Sequence, residues 1–195
     1  YNFTDDFKIG AGVRWARNEQ DFSQNVTEGI LLPIGDTPNS SPEDVFTWSL
    51  SPQFQRSAEA MIYARVATGY QPGGPNVLVE GLPSQVDSST LTNYELGLKS
   101  LWLDNRVQVD LTGFHIAWED IQVASVVNGV SGLVNAGKAS STGMELSTVF
   151  HATENFQVGL NGSYTDAKLD ESFPVISASS PPYLVEITSG AKGDA

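Results

Sequence analysis

Along this chain apolar residues return at every second position, in one run after another. Phe7, Ile9, Ala11, Val13 and Trp15 alternate with Lys8, Gly10, Gly12, Arg14 and Ala16. Phe46, Trp48 and Leu50 do the same, as do Ile62, Ala64, Val66 and Thr68. Further on, Tyr94, Leu96, Leu98 and Trp102, then Met144, Leu146, Thr148 and Phe150, then Phe156, Val158, Leu160 and Tyr164 repeat the pattern. Successive side chains of a strand point to opposite faces, so each run predicts a strand with one apolar face and one polar or small face. The fold class predicted is all-β, an antiparallel meander of about seven to eight long strands.

One run breaks phase. Val107, Val109 and Leu111 share a face, but Phe114, Ile116 and Trp118 have the opposite parity. A one-residue bulge near Gly113 reconciles them. So does an upper half that packs inward against something else. The sequence leaves both open.

The connections alternate between two kinds. Thr4–Asp6, Arg56–Glu59, Leu103–Asn105 and Thr153–Asn155 carry the Asp, Asn and Ser of tight turns. Long connections, rich in Gly, Pro, Ser and Asn, are expected over 18–43, 70–89, 119–137 and from Asp170 onward, with parts of the third able to extend the strands. Short turns at one end and long loops at the other are the signature of a transmembrane β-barrel. The runs also reach the roughly 9–11 residues that a tilted strand needs to cross lipid. Phe7, Trp15, Tyr70, Trp102, Phe150 and Phe156 sit near strand ends, where an aromatic girdle belongs. Lys8, Arg14, Arg65, Glu95, Lys99 and Glu145 all have the parity that points away from lipid. The alternative is a soluble antiparallel sheet with one wet face, but such a sheet does not usually sort its loops by end.

Composition narrows the function classes. The chain has 195 residues, 40% hydrophobic and 17% charged, with a net charge of −13. That charge disfavours nucleic-acid binding, which needs clustered Lys and Arg. No basic residue lies between Arg17 and Arg56, where Glu19, Asp21, Glu28, Asp36, Glu43 and Asp44 fall, so this stretch reads as a solvated acidic loop able to attract divalent cations. There is no cysteine, which removes disulfides, thiolate metal sites and cysteine nucleophiles. No segment approaches the roughly 20 apolar residues of a transmembrane helix. His115 and His151 lie on different strands without a second His nearby, and no calcium-loop, phosphate-loop or Gly-x-Ser-x-Gly pattern occurs. No catalysis, cofactor or metal site is predicted.

Several segments then carry a resemblance. They are Tyr63-Ala64-Arg65-Val66-Ala67-Thr68-Gly69-Tyr70-Gln71-Pro72-Gly73-Gly74-Pro75-Asn76, Asn93-Tyr94-Glu95-Leu96-Gly97-Leu98-Lys99-Ser100, Phe114-His115-Ile116-Ala117-Trp118-Glu119-Asp120-Ile121-Gln122, and Asn135-Ala136-Gly137-Lys138-Ala139 leading into Gly143-Met144-Glu145-Leu146. In this order they resemble the barrel of TonB-dependent receptors. The resemblance implies a 22-stranded barrel around a plug, in the outer membrane of a Gram-negative bacterium. It also implies energy-coupled uptake, most often of a ferric siderophore, through a TonB complex that engages the plug side. Residues 1–195 are then expected to be a partial barrel domain without its plug or closing strands, an open curved sheet with two unpaired edges prone to aggregation. The partners implied are outer-membrane lipid, the plug, the TonB complex and a small cargo such as a ferric chelate. A passive porin-type channel is the alternative. Arg65, Glu95, Lys99 and Glu145 are expected to face the lumen, as salt bridges that hold barrel shape or as plug contacts. Tyr70, Gln71 and Asn76 are candidate extracellular loop contacts, although the Gln71–Asn76 stretch also reads as a plain strand-terminating turn.

Overall fold

The structure, a computed structural model, describes residues 1, 3–27, 35–171, 173–177 and 183–187. Its strands are β1 (Phe7–Val26), β2 (Gly35–Ser57), β3 (Ala60–Gln71), the short β4 (Gly74–Pro75) and β5 (Gln85–Val86), β6 (Ser89–Trp102), β7 (Val107–Glu119), β8 (Gln122–Val127), β9 (Val130–Asn135), β10 (Lys138–Thr153), β11 (Phe156–Leu169), β12 (Phe173–Ser177) and β13 (Tyr183–Ile187). Seven long strands make one antiparallel sheet in the order β1-β2-β3-β6-β7-β10-β11, and β1 and β11 are its unjoined edges. The remaining strands form two-stranded ladders within the connections. Glu28 and the stretch from 188 onward lie outside the described residues.

Register turns the alternation into two faces. Phe54 pairs with Phe7 and Ile62, Ile62 with Leu98, Leu98 with Leu111 and Leu111 with Leu146. Directly paired residues share a face, so one apolar row crosses the sheet. These side chains are not buried by protein. Leu96 is 63% exposed and Leu160 65%, far from what a water-facing surface sustains over such an area. On β6 the apolar face runs from Trp102 through Leu98 to Tyr94. That is roughly 27 Å along a strand at about 3.4 Å per residue, or about 21 Å across a bilayer at a tilt near 40°. Lipid is the solvent this face fits.

Turn chemistry closes one end. Ser57 pairs with Ala60, Trp102 with Val107 and Thr153 with Phe156, each across a tight turn. The β6–β7 turn holds Leu103, Asp104 and Asn105 at φ of 52°, 55° and 65°. Asp and Asn tolerate this left-handed region better than other non-glycine residues, whereas Leu103 has no such excuse.

At the other end the sequence expectation needs correcting. The stretch 18–43 is largely strand, with Asn18 paired to Glu43 and the ladder continuing to Val26 and Gly35. Beyond the apolar band the alternation of residue type disappears while backbone pairing goes on; one face stays exposed and the other is sheltered, with Gln24 at 8% and Ser41 at 9% exposure. The stretch 119–137 forms the β8–β9 hairpin.

No bulge exists at Gly113. β7 keeps one register against both β6 and β10 from end to end. Instead the faces exchange character where the strands leave the apolar band. On the lipid side the rows become Tyr94, His115, Thr142 and Asp166, then Thr92, Ala117, Ser140 and Lys168. On the opposite face they become Asn93, Ile116, Ser141 and Ala167, then Leu91, Trp118, Ala139 and Leu169. The bulge reading is excluded, and the upper half of β7 carries its apolar side chains on the opposite face within one unbroken register.

Candidate functional site

The polar face carries the chemistry. Arg65 stands opposite Glu95 across β3 and β6, and their charged atoms lie 3.9 Å apart. Glu95 also accepts a hydrogen bond from Asn93 Nδ2 at 2.6 Å. Lys99 stands opposite Asp110 across β6 and β7, at 3.6 Å. Arg65 is 48% exposed and Lys99 53%, so each pair is worth no more than about 1 kcal/mol. Glu145 faces Thr112 and Ser163 on its two neighbouring strands. It joins no ion pair among the described residues. With Asp110, Thr112, Ser147, Asn161 and Ser163 it lines a cavity of about 430 Å³. One oxygen of Asp110 is buried there without a partner. Asp110 is missing from the sequence-derived residues, yet its parity in the Val107–Leu111 run already placed it on the polar face.

Between these pairs an aromatic ring leans across the sheet. Tyr63 lies over Gly97, and its hydroxyl reaches Thr112 Oγ1 at 3.1 Å. A Cβ at Gly97 would stand 2.3 Å from the Tyr63 ring. Glycine here is required by close approach rather than by backbone conformation.

Above the lipid band the polar face turns apolar. Ile116, Trp118, Ala139, Ser141, Ala167 and Leu169 line a cavity of about 360 Å³ on that face. Beside it lies a cap made by the 71–89 segment, the outer parts of β1 and β2, and the β8–β9 hairpin. The buried apolar side chains among the described residues are Val79, Val86, Ile121, Val127 and Ala136, all in this cap.

The structure separates the candidate loop residues. Tyr70 has the parity of Ile62 and Val66, on the apolar face. Gln71 lies on the polar side and donates from Nε2 to Gln122 Oε1 at 3.1 Å. Asn76 is buried, at 6% exposure. Its amide oxygen accepts from the N–H groups of Val77 and Leu133, and its Nδ2 donates to Leu133 O at 2.6 Å. Among the described residues, acidic side chains of the 17–56 stretch make separate contacts. Glu43 accepts from Gly73 N at 3.3 Å and Asp36 from Ser23 Oγ at 2.8 Å. Among the described residues no group of three or more His, Cys, Asp or Glu is placed to hold a metal ion.

Known proteins share this arrangement. The profile of the family described as "TonB dependent receptor-like, beta-barrel" matches residues 1–188. The pesticin receptors of Yersinia enterocolitica and Yersinia pestis are each 28% identical over 197 residues, covering 98% of this chain and 28% of their own length. The ferric yersiniabactin uptake receptor FyuA from Yersinia pestis superposes with a TM-score of 0.70 at 27% identity, over 86% of this chain and 25% of that one. The siderophore receptor PiuA from Acinetobacter baumannii shares the fold with a TM-score of 0.67 at 19% identity, over 85% of this chain and 24% of its own. The chain thus spans about a quarter of the length of these relatives.

Proposed function

Since the chain belongs to the TonB dependent receptor-like β-barrel family, we propose that it forms part of the wall of an energy-coupled uptake receptor for a ferric siderophore or a similarly scarce chelated nutrient. The members it resembles are outer-membrane receptors of Gram-negative bacteria, and its lipid-facing band suits that membrane. The observation that carries the reading is the family match over 1–188, together with the likeness in sequence and fold to FyuA.

In this reading the polar face looks into the bore, and the unpaired sheet edges join further strands of the same barrel. A plug domain fills the bore and passes on the pull of the TonB complex. Arg65–Glu95 and Lys99–Asp110 are pairs that hold barrel shape, while Glu145, without an ion pair among the described residues, is the carboxylate best placed to meet a cation of the plug. Gln71 is the loop contact retained for cargo. Tyr70 belongs with the aromatic girdle, and Asn76 shapes the loop rather than reaching into the mouth.

The test is uptake of radioactive iron, presented as ferric citrate and as a ferric catecholate, by cells expressing the full-length receptor. The reading expects saturable accumulation that stops when a protonophore collapses the inner-membrane gradient. Accumulation indifferent to the protonophore would identify a passive channel instead.

A further inference from the structure

We propose that the 71–89 segment is a fixed wall narrowing the mouth of the bore, and not a gate that opens for cargo. The inference rests on the uptake reading for its consequence, but its geometry stands alone.

The segment is tied to its surroundings by neutral amides on two sides. On the β1–β2 side, Gln24 pairs with Leu78 as a strand would, accepting from its N–H at 2.9 Å and donating to its carbonyl at 3.2 Å. Gln20 Nε2 donates to Gly73 O at 2.7 Å, and Asn39 Nδ2 to Ser84 O at 2.6 Å. On the hairpin side, Asn135 accepts from Asp87 N–H at 2.8 Å and donates to Asp87 O at 2.9 Å. Gln122 Nε2 donates to Pro72 O and Asp87 O, and Asn76 clamps Leu133 from both ends.

Gln20, Gln24, Asn39 and Glu43 all have polar-face parity on β1 and β2. The segment therefore lies on the bore side of the sheet, beyond the lipid band. Its approach is close. A Cβ at Gly73 would stand 2.2 Å from Val86 O, and one at Gly132 would stand 2.6 Å from Leu82 Cδ1.

Loops that move belong to the low-stability end of a structure, with few buried apolar contacts and solvent-exposed backbone hydrogen bonds. This segment buries Asn76, Val79 and Val86, and its ties through Gln20, Gln24 and Asn76 are partly buried, while those at Ser84, Asp87 and Pro72 are exposed. Lifting it would expose Val79 and Val86 and orphan donors and acceptors on both sides at once. Most of its ties involve uncharged groups, so neither salt nor pH offers a simple release. A fixed wall limits the width of cargo on this side and leaves any gating motion to other parts of the receptor.

Hydrogen exchange on the detergent-solubilised full-length receptor tests the proposal without transport. The hydrogen-bonded amides at positions 76 and 78 are expected to exchange on the order of 1,000-fold more slowly than free peptide, and Asn76→Ala to speed them by roughly 10- to 100-fold. Exchange of the unmodified segment at free-peptide rates overturns the proposal. A second arm uses Gln20→Cys with Gly74→Cys, whose positions touch across the β1–loop contact, bridged by a short thiol cross-linker. Iron uptake, presented as above, is expected to stay within twofold of the unbridged double variant. A tenfold loss on bridging, reversed when a cleavable cross-linker is cut, makes the segment a gate and refutes the wall. Failure of the unmodified receptor to take up either iron form counts against the uptake reading, and the exchange result still decides this one.

Discussion

The two-face assignment has its sharpest consequence at adjacent residues of β10. Leu146 sits in the middle apolar row with Ile62, Leu98 and Leu111, four positions along the strand from each end of the band traced on β6. Its neighbour Ser147 faces the other way, opposite Asp110 and Asn161. Leu146→Arg would place a guanidinium near the bilayer midplane, where a lipid-facing Arg costs about 2–4 kcal/mol. At 1.4 kcal/mol per tenfold, folding is weakened roughly 30- to 1,000-fold. Ser147→Arg adds the same group one residue away, on a wet face beside Asp110 and Glu145. Expected there is a change within about 1 kcal/mol of either sign. The assay is denaturant titration of the full-length receptor in lipid vesicles, followed by tryptophan fluorescence, with each variant also checked for heat-modifiable migration. Equal destabilisation by the two variants, or a larger one from Ser147→Arg, would refute the assignment of the apolar face to lipid.

Three further outcomes are expected. Gly97→Ala drives a methyl into the Tyr63 ring and should destabilise the barrel by about 1–3 kcal/mol; in a double-mutant cycle, Tyr63→Ala should recover most of that loss, and simple additivity would argue against the contact. Arg65→Met removes an ion pair whose Arg65 end is 48% and Glu95 end 20% exposed, so unfolding free energy should fall by about 1 kcal/mol; a drop several times larger in the same titration would mean that the pair is more shielded than its exposure implies. Leu103→Gly relieves a left-handed residue in the β6–β7 turn and should stabilise by up to about 1 kcal/mol, while Leu103→Val should destabilise by a similar amount, both read from denaturation midpoints.

What the sequence determined is the part of the molecule that lies between two unlike solvents. From Phe7 to Trp15, from Tyr94 to Trp102 and from Met144 to Phe150, one face meets hydrocarbon and the other water, so the residue types must alternate, and the strands, their faces and the tight turns were legible. Tertiary structure decided what happens where that contrast ends. Strand pairing in β1 and β2 runs on past Asn18 and Glu43 because the backbone ladder does not depend on apolar side chains, and the sheltered face there is covered through polar contacts such as Gln24 with Leu78. Phe114, Ile116 and Trp118 reverse the parity without any bulge, because beyond the apolar band the apolar rows pass to the opposite face of the sheet. The partner of Lys99 and the engagement of Asn76 follow from which strands and loops come to lie side by side. Such contacts depend on residues far apart in the chain, and local periodicity carries no record of them.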